Sequence, residues 1–286
     1  QKIAEANARL DILEKEAVPA SDPKFHEKLT EDETVVAVTN GGRTIIPEAQ
    51  HLAAQVKAAT DLKDFTGFQK FLERLGPVVP KRRFSVEDLM KFMKHGDLPI
   101  ADDGSIVIYK RLTASSVKAE KDAGIMVDVH SRRVKQKVGS HVFMDESLVD
   151  PDRRRDCSNG LHVAALSYLS GFSGEFTIVG KVAPEDVIAV PEYNNNKMRV
   201  AGYHIVALLN DKQAIHVNRG GKLSSIDGGA EILNAVLRGK HIPVIQTVQI
   251  GGQKASKLTI TDLDGVDTTV AELVEGDIRN TNIDPI

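Results

Sequence analysis

Cysteine is all but missing: Cys157 is the one thiol in 286 residues. No intrachain disulfide can form, a Cys-rich zinc site is excluded, and a reducing cytosol fits. Trp is absent, and Tyr and Phe number only four and nine. The core must come mainly from Ile, Val, Leu and Ala, and a hydrophobic share of 41 % supplies enough of them. A basic excess is lacking too, since 37 Lys and Arg stand against 40 Asp and Glu. A chain held on duplex DNA by phosphate neutralisation normally carries that excess, so strong duplex DNA binding is not expected. No run of 18 apolar residues occurs, so the sequence offers no simple transmembrane segment. The first twenty residues are charged and amphipathic, unlike a secretory signal.

What is present reads as α+β. Residues 1–17 place Ile3, Ala6, Leu10, Leu13 and Ala17 on one helical stripe, and the linker Ala20-Ser-Asp-Pro23 follows. Thr34–Val38 and Arg43–Ile46 flank Asn40-Gly41-Gly42, a hairpin signal. Helices are expected from Pro47 to Ala59, from Leu62 to Leu75, and from Val86 to His95. The last opens on a capping-box-like Ser85-Val-Glu-Asp88. From Leu98 the period turns to that of strands: Ser105–Leu112, short pieces near Gly124–Val129 and Gly139–Met144, then Phe176–Val182, Val187–Val190 and Met198–Leu208. Leu161–Leu169 reads as a helix. Further on come a helix at Ala230–Leu237, a hairpin of Pro243–Ile250 with Lys257–Thr261, and a short helix at Val270–Val274. The expected organisation is an arm over 1–22, a hairpin plus helical region over 23–96, a mixed α+β domain over 97–210, and a small β-rich extension over 211–286. From 243 onward seven acidic residues face three basic ones. The arm and the extension are too small to form cores alone, so both are expected to dock on the body or on another chain.

Cys157-Ser-Asn-Gly-Leu-His162 is the one stretch that suggests chemistry, because a thiol and an imidazole could form a nucleophile–base pair. A turn at Gly160 followed by a packed element explains the same residues, with Leu161 and Val163 inside and Cys157 as a small buried thiol. His130, His141, His162 and His204, with Cys157 and Asp128, do not show metal-ligand spacing. Lys81-Arg-Arg83, Arg132–Lys137 and Arg153-Arg-Arg155 are basic runs. From 128 to 156, however, seven basic residues meet six acidic ones, which favours a salt-linked surface over a phosphate stripe. Asp262-Leu-Asp-Gly-Val-Asp267 lacks the glycine position and closing Glu of a calcium loop. No cofactor or metal is expected.

Four blocks carry a family resemblance. They are Ile100-Ala-Asp-Asp-Gly-Ser-Ile-Val-Ile-Tyr-Lys110; Cys157-Ser-Asn-Gly-Leu-His-Val-Ala164 with Tyr168 and Phe172; Val182-Ala-Pro-Glu-Asp-Val-Ile-Ala-Val-Pro191; and Tyr193-Asn-Asn-Asn-Lys-Met-Arg-Val200 with Tyr203-His-Ile-Val206. In order and spacing they resemble the rIIB-like proteins of tailed bacteriophages, over roughly residues 97–207. The resemblance implies a non-enzymatic phage protein of the infected cell, working with an rIIA-like partner near the inner membrane, in lysis timing or protection against prophage exclusion. It brings no catalytic residues with it. Two other readings stand beside it. One is a virion or assembly component that contacts capsid or tail proteins or copies of itself. The other is a nucleotide-directed enzyme centred on Tyr109, Lys110, His130, Cys157 and His162.

Overall fold

A computed structural model describes residues 35–266, apart from Asn40, Gly41, Asp97, Asn195, Gln253 and Lys254. The expected helices at 1–17 and 270–274 lie outside the described residues. The fold is α+β, with helices leading and a large mixed sheet following. A two-stranded hairpin, β1 (Val35–Thr39) with β2 (Gly42–Ile46), opens it. A 3₁₀ turn at Ala49–Leu52 leads to α1 (Ala53–Leu62), α2 (Thr66–Leu75) and α3 (Val79–Gly96). On α2, Phe68, Phe71, Leu72 and Leu75 form the buried stripe that their spacing dictates.

The third helix starts about two turns earlier than its capping-box signal suggests. Pro80 suits a first turn, where its missing N–H costs nothing. At Arg82 the backbone leaves helical geometry (φ −143°, ψ 54°). The Arg82 guanidinium donates to the Glu185 carbonyl at 2.6 Å and pairs with Glu146 at 2.7 Å. Among the described residues the Ser85 hydroxyl makes no cap; it donates to the Ile188 carbonyl at 2.7 Å.

Among the described residues the sheet has eleven strands. Its path runs β13 (Lys257–Asp262), β12 (Gln246–Gly251), β6 (Ser140–Met144), β11 (Gly202–Leu208), β8 (Phe176–Val182), β3 (Ile106–Ala114), β7 (Leu161–Ala164), β10 (Lys197–Val200) and β9 (Val187–Ala189). The short β4 (Met126–Val127) and β5 (Lys135–Gln136) hang from β3, and the brief helix α4 (Lys118–Asp122) lies between β3 and β4. Every pairing is antiparallel except β12 with β6. Residues 246–262 therefore lie in the same sheet as the strands before them.

The reading of Met198–Leu208 as one strand needs correction, because the chain changes neighbours at Ala201. The Ala201 N–H donates to Asp186, and its carbonyl accepts from Met144. Its two halves stand four places apart in the sheet. Four steps of about 4.8 Å would separate them by roughly 19 Å in a flat sheet. The two Cα–Cα steps from Val200 to Gly202 span at most about 7.6 Å. The sheet must therefore roll, bringing β10 round toward β11.

Leu161–Leu169 is likewise not one helix. Leu161 and Val163 are buried opposite Val200 and Met198 as a strand, and Leu166–Gly171 is a 3₁₀ segment. Pairing with β10 outweighs any helical preference in so short a run. Among the described residues two α-helices follow β11: α5 (Asp211–Asn218) and α6 (Gly229–Leu237). Among the described residues, no helix is long and apolar enough to cross a membrane.

Candidate functional site

Two polar clusters sit on this sheet. The first gathers part of the set that the sequence singled out. β3 carries Tyr109 and Lys110, and β7 carries His162. The Lys110 ammonium donates to the His162 carbonyl at 2.8 Å and stands 5.4 Å from the centre of the Tyr203 ring. Burial lowers Lys110 to about 8, partly offset by the Asp128 carboxylate. Burial, and then the positive charges of Lys110, Arg199 and Lys197, bring His162 down to about 4. Its imidazole is therefore neutral near pH 7, and its Nε2 is buried with no hydrogen-bond partner among the described residues.

Tyr109 is buried, paired across the strands with Val179 and Ala164, while His130 is exposed in a turn. Cys157 is exposed rather than buried, and its sulfur lies 3.5 Å from the Lys197 ammonium. Among the described residues no hydrogen bond joins Cys157 to His162. The nucleophile–base geometry is therefore not assembled in this arrangement.

The rest of the Cys157–His162 run closes a loop. The Ser158 hydroxyl donates to Asp150, and the Asn159 amide donates to the Leu148 carbonyl. Gly160 has φ +145°, and a Cβ there would meet Val149 Cγ1 at 2.9 Å. Sequence reasoning missed Arg199, which is wholly buried beneath this loop. Its guanidinium donates to the carbonyls of Asp150 (2.9 Å), Arg155 (2.6 Å) and Asp152 (2.6 Å). The nearby basic run is salt-linked as its composition suggests: Arg153 reaches Asp88 and Glu192, Arg154 reaches Asp152, and Arg155 reaches Asp150. Asp128 accepts from the backbone of Ser131, Arg133 and Val134, which holds its carboxyl below the usual range against the effect of burial.

The second cluster was not foreseen. Register places His141, His204 and Lys181 in one row across β6, β11 and β8, so all three project from the same face. Asp103, from the turn before β3, pairs with Lys181 at 2.6 Å. His241, from the segment before β12, sets its Nε2 3.2 Å from the same ammonium. Its Nδ1 lies 2.9 Å from the Ile242 carbonyl, so Nδ1 carries the proton and Nε2 accepts. With Asp186 these groups line a cavity of about 330 Å³. The cross-strand register was the only signal available for this cluster, and it is invisible until the strands are paired. The histidines weighed together in the sequence thus divide between two places. Among the described residues no group of three or more His, Cys, Asp or Glu side chains is placed to hold a metal ion.

Comparison with known proteins gives one family, described as bacteriophage T4 protein rIIB, whose model matches residues 58–214. Among curated proteins, protein rIIB of Enterobacteria phage T4 is 30 % identical over 147 residues. That alignment covers 50 % of this chain and 43 % of the T4 protein, so the chain spans less than half of its relative's length. No solved structure matches. The matched residues include both polar clusters except His241 and the two residues after it that line the cavity, Pro243 and Val244.

Proposed function

Because the chain belongs to the family of the bacteriophage T4 protein rIIB, we propose that this phage protein acts in the infected cell by binding other protein chains rather than by catalysis. The proposed partner is an rIIA-like protein at the inner membrane. The proposed outcome is control of lysis timing and protection against prophage exclusion. Family membership over more than half of the chain is the observation that carries this reading. The first cluster is compatible with it. The Lys110 ammonium is committed to a backbone carbonyl, and most of the Cys157–His162 run closes a loop over Arg199.

The test is affinity purification of the tagged chain from infected cells, read by mass spectrometry. Recovery of an rIIA-like protein supports the proposal. Recovery of capsid or tail proteins alone would replace it with an assembly role.

A further inference from the structure

The cavity beside β6, β11 and β8 is built of acceptors that the protein itself leaves unanswered. Among the described residues no hydrogen bond reaches the Asp186 carboxylate. Beside it the His204 Nε2 is buried without a hydrogen-bond partner among the described residues, and the Pro243 carbonyl interacts with the same ring. His141 Nε2 stands across Gly202 from Asp186. A Cβ added at Gly202 would lie 3.2 Å from His141 Nε2 and 3.3 Å from Asp186 Oδ2. The missing side chain therefore keeps open a gap onto which two acceptors converge.

Charge narrows the occupant. Lys181 is neutralised by Asp103 at 2.6 Å, and the Arg74 and Arg82 guanidinium groups that favour a charged Asp186 are themselves paired with Glu185 and Glu146. Burial keeps His141, His204 and His241 below their ordinary range, so near neutral pH they offer lone pairs and not positive charge. Among the described residues an anion would meet no uncommitted cation here. A monocation rich in N–H donors matches both the charge and the acceptors.

We propose that this cavity binds the primary ammonium group of an amine, with Asp186 as countercharge and His141 as a neutral acceptor across Gly202. The ammonium N–H groups meet the two acceptors that flank Gly202, and about 330 Å³ admits a short alkyl chain. The amine is either a small free molecule or the tip of a lysine side chain. This inference does not depend on the partner reading, because its test uses the purified chain alone.

The test is calorimetric titration of the full chain near neutral pH with n-butylammonium chloride. The controls are trimethylbutylammonium, which keeps the charge but has no N–H, and sodium butyrate. Saturable one-site binding of butylammonium is expected, at least tenfold weaker for the trimethyl analogue and absent for butyrate. Asp186→Asn should weaken amine binding at least tenfold without lowering the melting temperature, since it removes a half-buried carboxylate that no hydrogen bond answers among the described residues. Gly202→Ala should abolish binding by filling the gap; should either variant fail to fold, the other decides. Tighter binding of Nα-acetyl-lysine amide than of butylammonium identifies a protein lysine as the source, and weaker binding identifies a free amine. No saturable amine binding up to roughly 100 mM would overturn the proposal. So would preference for butyrate, equal binding of the trimethyl analogue, or unchanged affinity in the folded variants.

Discussion

At the scale of single residues, the side chain that does most is one that composition gives no reason to notice. Arg199 satisfies three carbonyls of the 150–155 loop from a fully buried position. Replacing it with Met keeps the stem but strands those carbonyls. The expected loss is about 3–5 kcal/mol in denaturant unfolding, with faster proteolysis of the loop. A loss under about 1 kcal/mol would show that water replaces the guanidinium without difficulty. The pH dependence of stability has a definite sign. His162 and His204 drop from 6.5 to about 4 and about 3 on folding, so the unfolded chain takes up protons first as pH falls. Their contribution is complete above pH 6.5 and is lost as pH falls toward those folded values. Each tenfold loss of proton affinity on folding corresponds to about 1.4 kcal/mol. Asp186, raised from 3.8 to about 6, works the other way as pH falls through 6. Two histidines outweigh one carboxylate, so unfolding midpoints should fall between pH 6.5 and 4.5, above the range where ordinary carboxylates titrate. A His162→Asn, His204→Asn variant should have a flatter profile over that window, and an unchanged slope would assign it elsewhere. Little of this was legible in the sequence. Cys157 and His162 drew notice by their chemistry, whereas Arg199 and the His141–His204–Lys181 row acquire meaning only through burial and register.

Elements were easier to read, and the failures have identifiable causes. Strong period-2 runs such as Phe176–Val182, and the Phe stripe of α2, stand where their patterns put them. Leu161–Leu169 failed because its four strand residues are decided by β10, some 35 residues later in the chain. Helix α5 was missed although a signal was present. Asn210 and Gln213 form a reciprocal capping box, the Asn side chain accepting from the N3 amide and the Gln side chain accepting from the cap. Ser85 shows the converse, a capping signal used as a tether to Ile188. Ser85→Ala should therefore cost about 1 kcal/mol, and the loss should appear as weaker docking of α3 on β9 and not as fraying of the helix. Amide exchange would distinguish the two, and loosening confined to the amides of Glu87 and Asp88 would favour capping. At the Gly160 turn, alanine meets both a positive φ and a 2.9 Å approach to Val149. A cost of about 2 kcal/mol in unfolding free energy is expected, and a neutral Gly160→Ala would mean that the loop relaxes freely.

For the whole molecule, the rolled sheet ties distant segments together. Arg74 forks onto Glu185 and also reaches the Asp103 carbonyl, Arg82 holds Glu146, and Arg153 meets Asp88, so the helical region is pinned to the sheet at several points. The family match runs through both parts, from within α1 to within α5. The α+β class was readable from the change of period near Leu98. The joining of residues 246–262 to the main sheet was not, because parallel pairing of β12 with β6 leaves no local signature. The central claim is that the protein works without catalysis by its most reactive-looking residues. Its most direct test is the plating efficiency of a phage carrying Cys157→Ser, His162→Asn in place of the native gene, using a variant that melts as the native protein does. The account predicts plating within about threefold of the parent on a prophage-bearing host, a difference of less than about 1 kcal/mol if read as an equilibrium. Loss of plating comparable to deletion of the gene, with the protein stably folded, would contradict it.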